Sequence, residues 1–211
     1  MTRKTQFVLV QALTYCRLPM MNLWVLIVLA CLAIWGTIPV FWFWLTLALM
    51  IAAALTDSFD GHLARRFGLT SRLGAYGDPF MDHVFYACTW PVLIVLACIR
   101  QEFGHALILT LLTVLYVQRD HLTTTLRAVS SLHNADVRAG WSGKARTILS
   151  FPLICLIYSY LCAPESAGLI RFPFWLIGAL EVIGIMLNFY SAADYTRRFW
   201  PFIAKEIDTA P

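Results

Sequence analysis

DSFDGHLARRFGLTSRLGAYGDPFMD, residues 57–82, decides how the rest of the 211-residue chain is read. Asp57 and Asp60 are spaced i,i+3, and Asp78 and Asp82 i,i+4, so each pair shares one face of a helix. An uncharged run from Leu18 ends at Asp57, and another from Val84 to Ile99 follows Asp82. Both pairs therefore stand where apolar helices meet a polar boundary. A carboxylate at the centre of a membrane helix costs roughly 2.5–3.5 kcal/mol. Four near the boundary, with few cations inside the helices, call for compensating positive charge. Hard oxygen donors suit Mg²⁺, Mn²⁺ or Ca²⁺, and Mg²⁺ shares its shell with phosphates. The plainer alternative is a solvated acidic helix end with Gly61 and Gly74 as turn residues.

Working outward, the chain is 60% hydrophobic, against about 45–50% for soluble domains. This predicts an all-α integral membrane protein, read as one domain over residues 1–211, with no linker, repeat or low-complexity tract. Residues 2–17 are expected to form an amphipathic helix along the interface. Gln11 and Arg17 interrupt its apolar face, so it does not read as a cleaved signal. Six spans follow, near 18–35, 40–59, 78–99, 104–129, 145–163 and 172–195. Gly36 to Pro39 makes an outer turn, residues 61–77 a short connection, and residues 130–144 a loop turning at Gly140. Pro79 is expected in the first turn of its span, where its missing N–H costs little, and Pro91 should kink the same helix.

Of the 16 Lys and Arg residues, all but Arg100 and Arg171 fall on the side of the aspartates and both termini. By the positive-inside rule that side is cytoplasmic. The basic face lacks a stripe of interleaved aromatics, so anionic lipid and phosphate-bearing substrates explain it better than nucleic acid. The six cysteines show no CxxC or metal-type spacing and read as small core or lipid-facing residues. The fourth span carries Gln118, Arg119, Asp120, His121 and Arg127 in its inner half, groups that must face the bundle or a water-filled cavity. His62, His105, His121 and His133 show no zinc spacing and read as polar surface or cavity residues. Glu181 and Asn188, in the last span, read as a buried polar contact at a possible subunit interface.

The pattern Asp57-x2-Asp60-Gly61-x2-Ala64-Arg65-x8-Gly74-x3-Asp78-x3-Asp82 resembles the signature of the CDP-alcohol phosphatidyltransferases. ALTYCRLP, ending at Pro19, resembles that family's opening motif, in which an Arg enters the substrate cavity. Arg119-Asp120-His121-Leu122-x3-Leu126-Arg127 resembles the RE-x-L-x3-LR segment of the phosphatidylglycerophosphate-synthase branch. Residues 141–147, WSGKART, resemble the W-x-GK-x-KT segment of that branch. Asp120 for Glu and Arg146 for Lys keep the charge but alter the reach. His83 stands where many relatives in the branch carry Lys.

The resemblance implies a division of labour. Asp57, Asp60, Asp78 and Asp82 would hold two divalent ions, Mg²⁺ or Mn²⁺, with Asp82 also the general base. Gly61, Ala64, Arg65 and Gly74 would line the CDP site. Arg17, Arg119, Arg127, Lys144 and Arg146 would serve the acceptor phosphate, although the last four also suit a basic patch on anionic lipid. It further implies CDP-diacylglycerol and glycerol 3-phosphate as substrates and a homodimer. Transfer to another alcohol, including cardiolipin synthesis, is the alternative within the family. A cation transporter would need an inverted repeat around a midplane site, and no repeat is visible. A membrane scaffold does not require four aspartates at this spacing.

Overall fold

The computed structural model describes residues 2–69, 72–133, 140–165 and 172–209, without the side chains at 58, 65, 72–76, 78, 206, 208 and 209. Arg138, Arg171 and the side chains of Arg65 and Asp78 thus lie outside the described residues, and of Gly74 only its place in a helix is described. The described elements are α1 (Arg3–Tyr15), α2 (Arg17–Trp35), α3 (Val40–Phe67), α4 (Arg72–Ile99), α5 (Phe103–Leu132), α6 (Trp141–Cys162) and α7 (Phe174–Thr209). Among the described residues, five helical stretches are long and apolar enough to cross a membrane: Arg3–Trp35, Val40–Ala64, Pro79–Ile99, Trp141–Cys162 and Phe174–Lys205. The protein is an integral membrane protein built of helices. The expected fourth span, now α5, is not among the five, because its second half carries the charged run beginning at Gln118.

Three boundaries differ from the sequence expectation. The connection expected over 61–77 shrinks to residues 68–71, because α3 continues through Gly61 and α4 begins at Arg72. The stop is Gly68: its φ is +62°, and Leu69 N–H donates back to the Ala64 carbonyl at 2.9 Å, a Schellman closure that glycine makes without strain. Pro79 consequently stands inside a helix rather than in its first turn. At the other end of the chain, α7 runs past 195 and through Pro201 to Thr209. Tyr195 and Phe199 pack there against Leu126, and this apolar seam carries the helix beyond its charged Arg197-Arg198 pair. The expected outer turn does form: Gly36 has φ +67°, its N–H closing on the Leu32 carbonyl.

Contacts fix the direction of each helix. His83 meets His121 and Trp90 meets Tyr116, with ring centroids 5.2 and 5.3 Å apart, so α4 and α5 are antiparallel. His105 meets Glu181, Arg119 meets Ser191 and Arg127 meets Tyr195, so α5 and α7 run the same way. Just after α4, Arg100 donates from Nη1 to the carbonyls of Tyr160 and Leu161, at 2.8 and 3.0 Å, capping the end of α6. Near the start of α6, Arg146 reaches Asp120. α5 therefore runs the full distance from the Arg100 end to the Gly140 end.

The apolar core runs between α2 and α7 around Trp24, Phe43, Phe85, Trp90, Tyr116 and Tyr158. Several hydroxyls in and beside it are satisfied locally, whereas that of Tyr86 has no partner among the described residues. Thr89, Thr113 and Ser159 donate to carbonyls one turn back, and the hydroxyls of Thr46 and Tyr158 pair at 2.6 Å. Glu181 and Asn188 face inward rather than toward a second subunit. They are 1% and 2% exposed; Glu181 Oε1 lies 2.8 Å from His105 Nε2, and Asn188 donates to the Gly184 carbonyl and accepts from Arg146. α1 breaks from α2 at Cys16 and buries Val10 and Thr14, while Val8 and Leu9 are exposed.

Candidate active site

Two charged centres share one end of the bundle. The first is acidic and is assembled by α2, α3 and α4 around Arg17. Arg17 has no solvent-exposed side-chain surface, so it does not snorkel. Its Nη1 donates to Asp57 Oδ1 at 2.9 Å and to Asp82 Oδ1 at 3.4 Å, and its Nη2 donates to Asp60 Oδ2 at 3.2 Å. Asp60 is buried and also accepts from Thr14 Oγ1 at 2.7 Å, while Asp57 and Asp82 keep 28% and 22% of their side chains exposed. The break at Cys16 sets this geometry, since it brings Thr14 at the end of α1 and Arg17 at the start of α2 to one carboxylate.

Three carboxylates against one guanidinium leave negative charge uncompensated, and their oxygens are hard donors. That donor chemistry fits Mg²⁺ or Mn²⁺. Arg17 stands among the carboxylates, and among the described residues no three acidic, histidine or cysteine side chains are spaced to hold an ion.

The second centre is basic and belongs to α5, α6 and α7. Asp120 Oδ1 accepts from Arg119 Nη1 at 3.0 Å and from Arg146 Nη2 at 2.6 Å. The Arg146 guanidinium lies over the rings of Tyr86 and Tyr116, 5.3 and 4.8 Å from their centroids. Arg119 also donates to Ser191 Oγ from Nε and Nη2. Arg127 Nη2 donates to the Tyr195 hydroxyl at 2.7 Å. Buried donors normally find acceptors, yet Nε of Arg127 and Nε of Arg146 have none among the described residues. The two centres adjoin across α4, because Tyr86, beneath Arg146, follows Asp82 by one helical turn. His83 and His121, each next to an aspartate of one centre, meet edge to face.

The structure thus gathers Arg17, Asp57, Asp60 and Asp82 in one cluster, and Arg119, Arg127 and Arg146 in the other. Arg17, expected with the acceptor cations, belongs to the acidic centre. Lys144 is exposed, and its backbone N–H donates to the Gly140 carbonyl at 3.3 Å. Gly61 and Ala64 lie half-buried on α3, beside the acidic centre. Sequence reasoning missed Thr14, Ser191 and Tyr195. It also missed Gly77, where a Cβ would come within 3.0 Å of the Tyr15 hydroxyl. A signal for two of these was present: Glu181, Gly184, Asn188, Ser191 and Tyr195 recur at intervals of three and four, one buried stripe along α7.

The profile of the CDP-alcohol phosphatidyltransferase family matches residues 7–189. A CDP-diacylglycerol–glycerol-3-phosphate 3-phosphatidyltransferase of Escherichia coli (strain K12) is 31% identical over 160 residues, 74% of this chain and 82% of that relative. Proteins of the same name from Pectobacterium atrosepticum and Salmonella choleraesuis are 31% identical over 75% and 67% of this chain, covering 80% and 74% of their own lengths. The matched segment carries every motif aspartate of the acidic centre, and with it this chain belongs to the CDP-alcohol phosphatidyltransferase family.

Proposed function

We propose that this enzyme transfers the phosphatidyl group of CDP-diacylglycerol to glycerol 3-phosphate, giving phosphatidylglycerophosphate and CMP. The observation that carries the reading is the adjacency of the two centres: carboxylates with excess negative charge beside arginines with unpartnered N–H groups. The names of the relatives supply the substrates. A phosphate monoester carries about −1.5 to −2 at pH 7, which suits several charge-assisted bonds where a neutral alcohol needs none.

In this reading Gly61 and Ala64 leave the surface of α3 low, so the cytidine part approaches the backbone. Arg65 pairs with the diphosphate. Arg119, Arg127, Arg146 and Lys144 hold the acceptor phosphate, and Arg17 orders the carboxylates beneath. Asp82, reachable from solvent, takes the proton of the acceptor hydroxyl as that oxygen bonds to the phosphatidyl phosphorus. The bond from this phosphorus to the oxygen bridging to CMP breaks, and CMP departs with the electron pair. Asp57, Asp60, Asp78 and Asp82 would hold divalent ions, which when bound offset charge on the diphosphate and on the departing CMP.

Residues 1–211 form one catalytic unit in this reading. α5 is the sixth crossing, α1 lies along the interface, and the site faces the cytoplasm of a bacterial inner membrane. A homodimer contact lies on helix faces away from both centres, and native mass spectrometry in nanodiscs showing monomer alone would remove it. The deciding experiment offers purified enzyme CDP-diacylglycerol, Mg²⁺ or Mn²⁺ and a panel of acceptors, with CMP release as readout. Glycerol 3-phosphate is expected to support turnover that EDTA abolishes, with free glycerol and inositol poor. If phosphatidylglycerol or free glycerol outcompetes glycerol 3-phosphate, the assignment gives way to cardiolipin-type or other alcohol transfer.

A further inference from the structure

Tyr195 lies beyond residue 189, where the family match ends, and it is 1% exposed. Its hydroxyl oxygen accepts two hydrogen bonds, from Arg127 Nη2 at 2.7 Å and from the Gly140 backbone N–H at 2.9 Å. Its ring lies under two guanidiniums, those of Arg119 and Arg127, each 5.0 Å from the centroid. One side chain of α7 therefore holds two cations of α5 and the residue that caps α6. The neighbouring Asp194 accepts from Ser142 Oγ and secures the same start of α6. The approach is close enough to dictate sequence on the other side: a Cβ at Gly143 would lie 2.8 Å from the Tyr195 hydroxyl and 3.2 Å from Arg119 Nη2.

An unrestrained arginine has a flexible stem, and holding several of them at one anion costs side-chain entropy on binding. A ring that stacks both guanidiniums, with an oxygen that fixes one of them, removes part of that cost beforehand. We propose that Tyr195 is a positioning residue for the acceptor phosphate, setting Arg119 and Arg127 and locking the start of α6 against them. The role rests on the reading of the basic centre as the acceptor site. It acts on acceptor affinity and not on CDP-diacylglycerol, which meets the enzyme at the acidic centre.

The test measures wild type, Tyr195→Phe and Tyr195→Leu in the same nanodiscs, recording KM for each substrate, kcat and Tm. Tyr195→Phe keeps the ring and removes both accepted bonds. It is expected to raise the glycerol 3-phosphate KM about tenfold, the loss typical of a hydrogen bond to a charged group. The CDP-diacylglycerol KM should stay at the wild-type value, while Tm falls modestly because two buried donors lose their acceptor. Tyr195→Leu also removes the stacking surface and should raise the acceptor KM further. An unmoved acceptor KM in Tyr195→Phe overturns the role. So does a parallel change in both KM values and Tm, which marks a merely structural side chain. Wild type run against the acceptor panel separates the two claims. Refusal of glycerol 3-phosphate by wild type overturns the acceptor assignment and this role with it. Normal wild-type use with an unmoved Tyr195→Phe KM overturns the positioning role alone.

Discussion

Without Arg17, Asp57, Asp60 and Asp82 would face one another lacking the one guanidinium that touches all three. Breaking a buried ion pair by deleting one partner typically costs about 3–5 kcal/mol, because the remaining charge is stranded. Arg17→Met keeps length and loses charge, so it is expected to destabilise the protein by about that amount, read as a lower Tm in detergent. Arg17→Lys should fall between, since a compact ammonium does not span three carboxylates as a planar fork does. An unchanged Tm for Arg17→Met would show that the acidic centre is held by something else. The four aspartates were legible in the sequence because their spacing is local. The partners of Asp57 and Asp60 were not, because Arg17 lies 40 residues before Asp57 and Thr14 46 before Asp60, and they meet only through the break at Cys16.

α5 and α7 lie side by side and are joined by polar contacts along their length. His105 meets Glu181 at one end, Arg119 meets Ser191 further along, and Arg127 meets Tyr195 at the other end. In lipid, polar groups between helices are satisfied by each other, so each contact ties the two helices at a fixed height. The contacts differ in what depends on them, because the basic centre is at the Arg127 end only. His105→Leu would strand the Glu181 carboxylate in a 1% exposed position. An unmade hydrogen bond of that kind costs about 1–3 kcal/mol. The expected result is a lower Tm with both KM values unchanged, measured on the same preparations as wild type. A selective rise in the acceptor KM would show that the far end of α5 and α7 is coupled to the site. At this scale the sequence displayed that helices exist and roughly where they begin. It concealed how far α3, α4 and α7 extend: the expectation is a connection over 61–77 and an end to the last span at 195, and packing carries the helices past both. It did place Glu181 and Asn188 as buried polar contacts, but gave no sign that their partners lie within the same chain.

The whole chain alternates in direction, so its two ends come to the same side of the bundle. α1 reaches Asp60 through Thr14, and Ser191 to Tyr195 of α7 reach the basic centre that adjoins Asp82. The proposed reading places an even number of crossings between them, whereas the apolar helices among the described residues number five. In the proposed reading α5 is the sixth: its 30 residues extend about 45 Å at 1.5 Å per residue, against a hydrocarbon core of about 30 Å. Its charged half is tolerated because Arg119 and Asp120 are partnered by Ser191 and Arg146 rather than by lipid. This is the stretch the sequence offered as its fourth span, near 104–129, with the charged half turned to the bundle. In that reading the described cations of the site end, from Arg3 and Lys4 through Arg119, Arg127, Lys144 and Arg146 to Lys205, put it on the cytoplasmic side by the positive-inside rule, while Arg100 stands at the far end. Reporter fusions in a bacterial host test count and side together. Green fluorescent protein joined after Pro211 should fluoresce and alkaline phosphatase there should be inactive, while phosphatase inserted after Gln101 should be active. Active phosphatase at both positions would mean that the C-terminal end lies outside. α5 would then not cross, and the two charged centres could not share the cytoplasmic face.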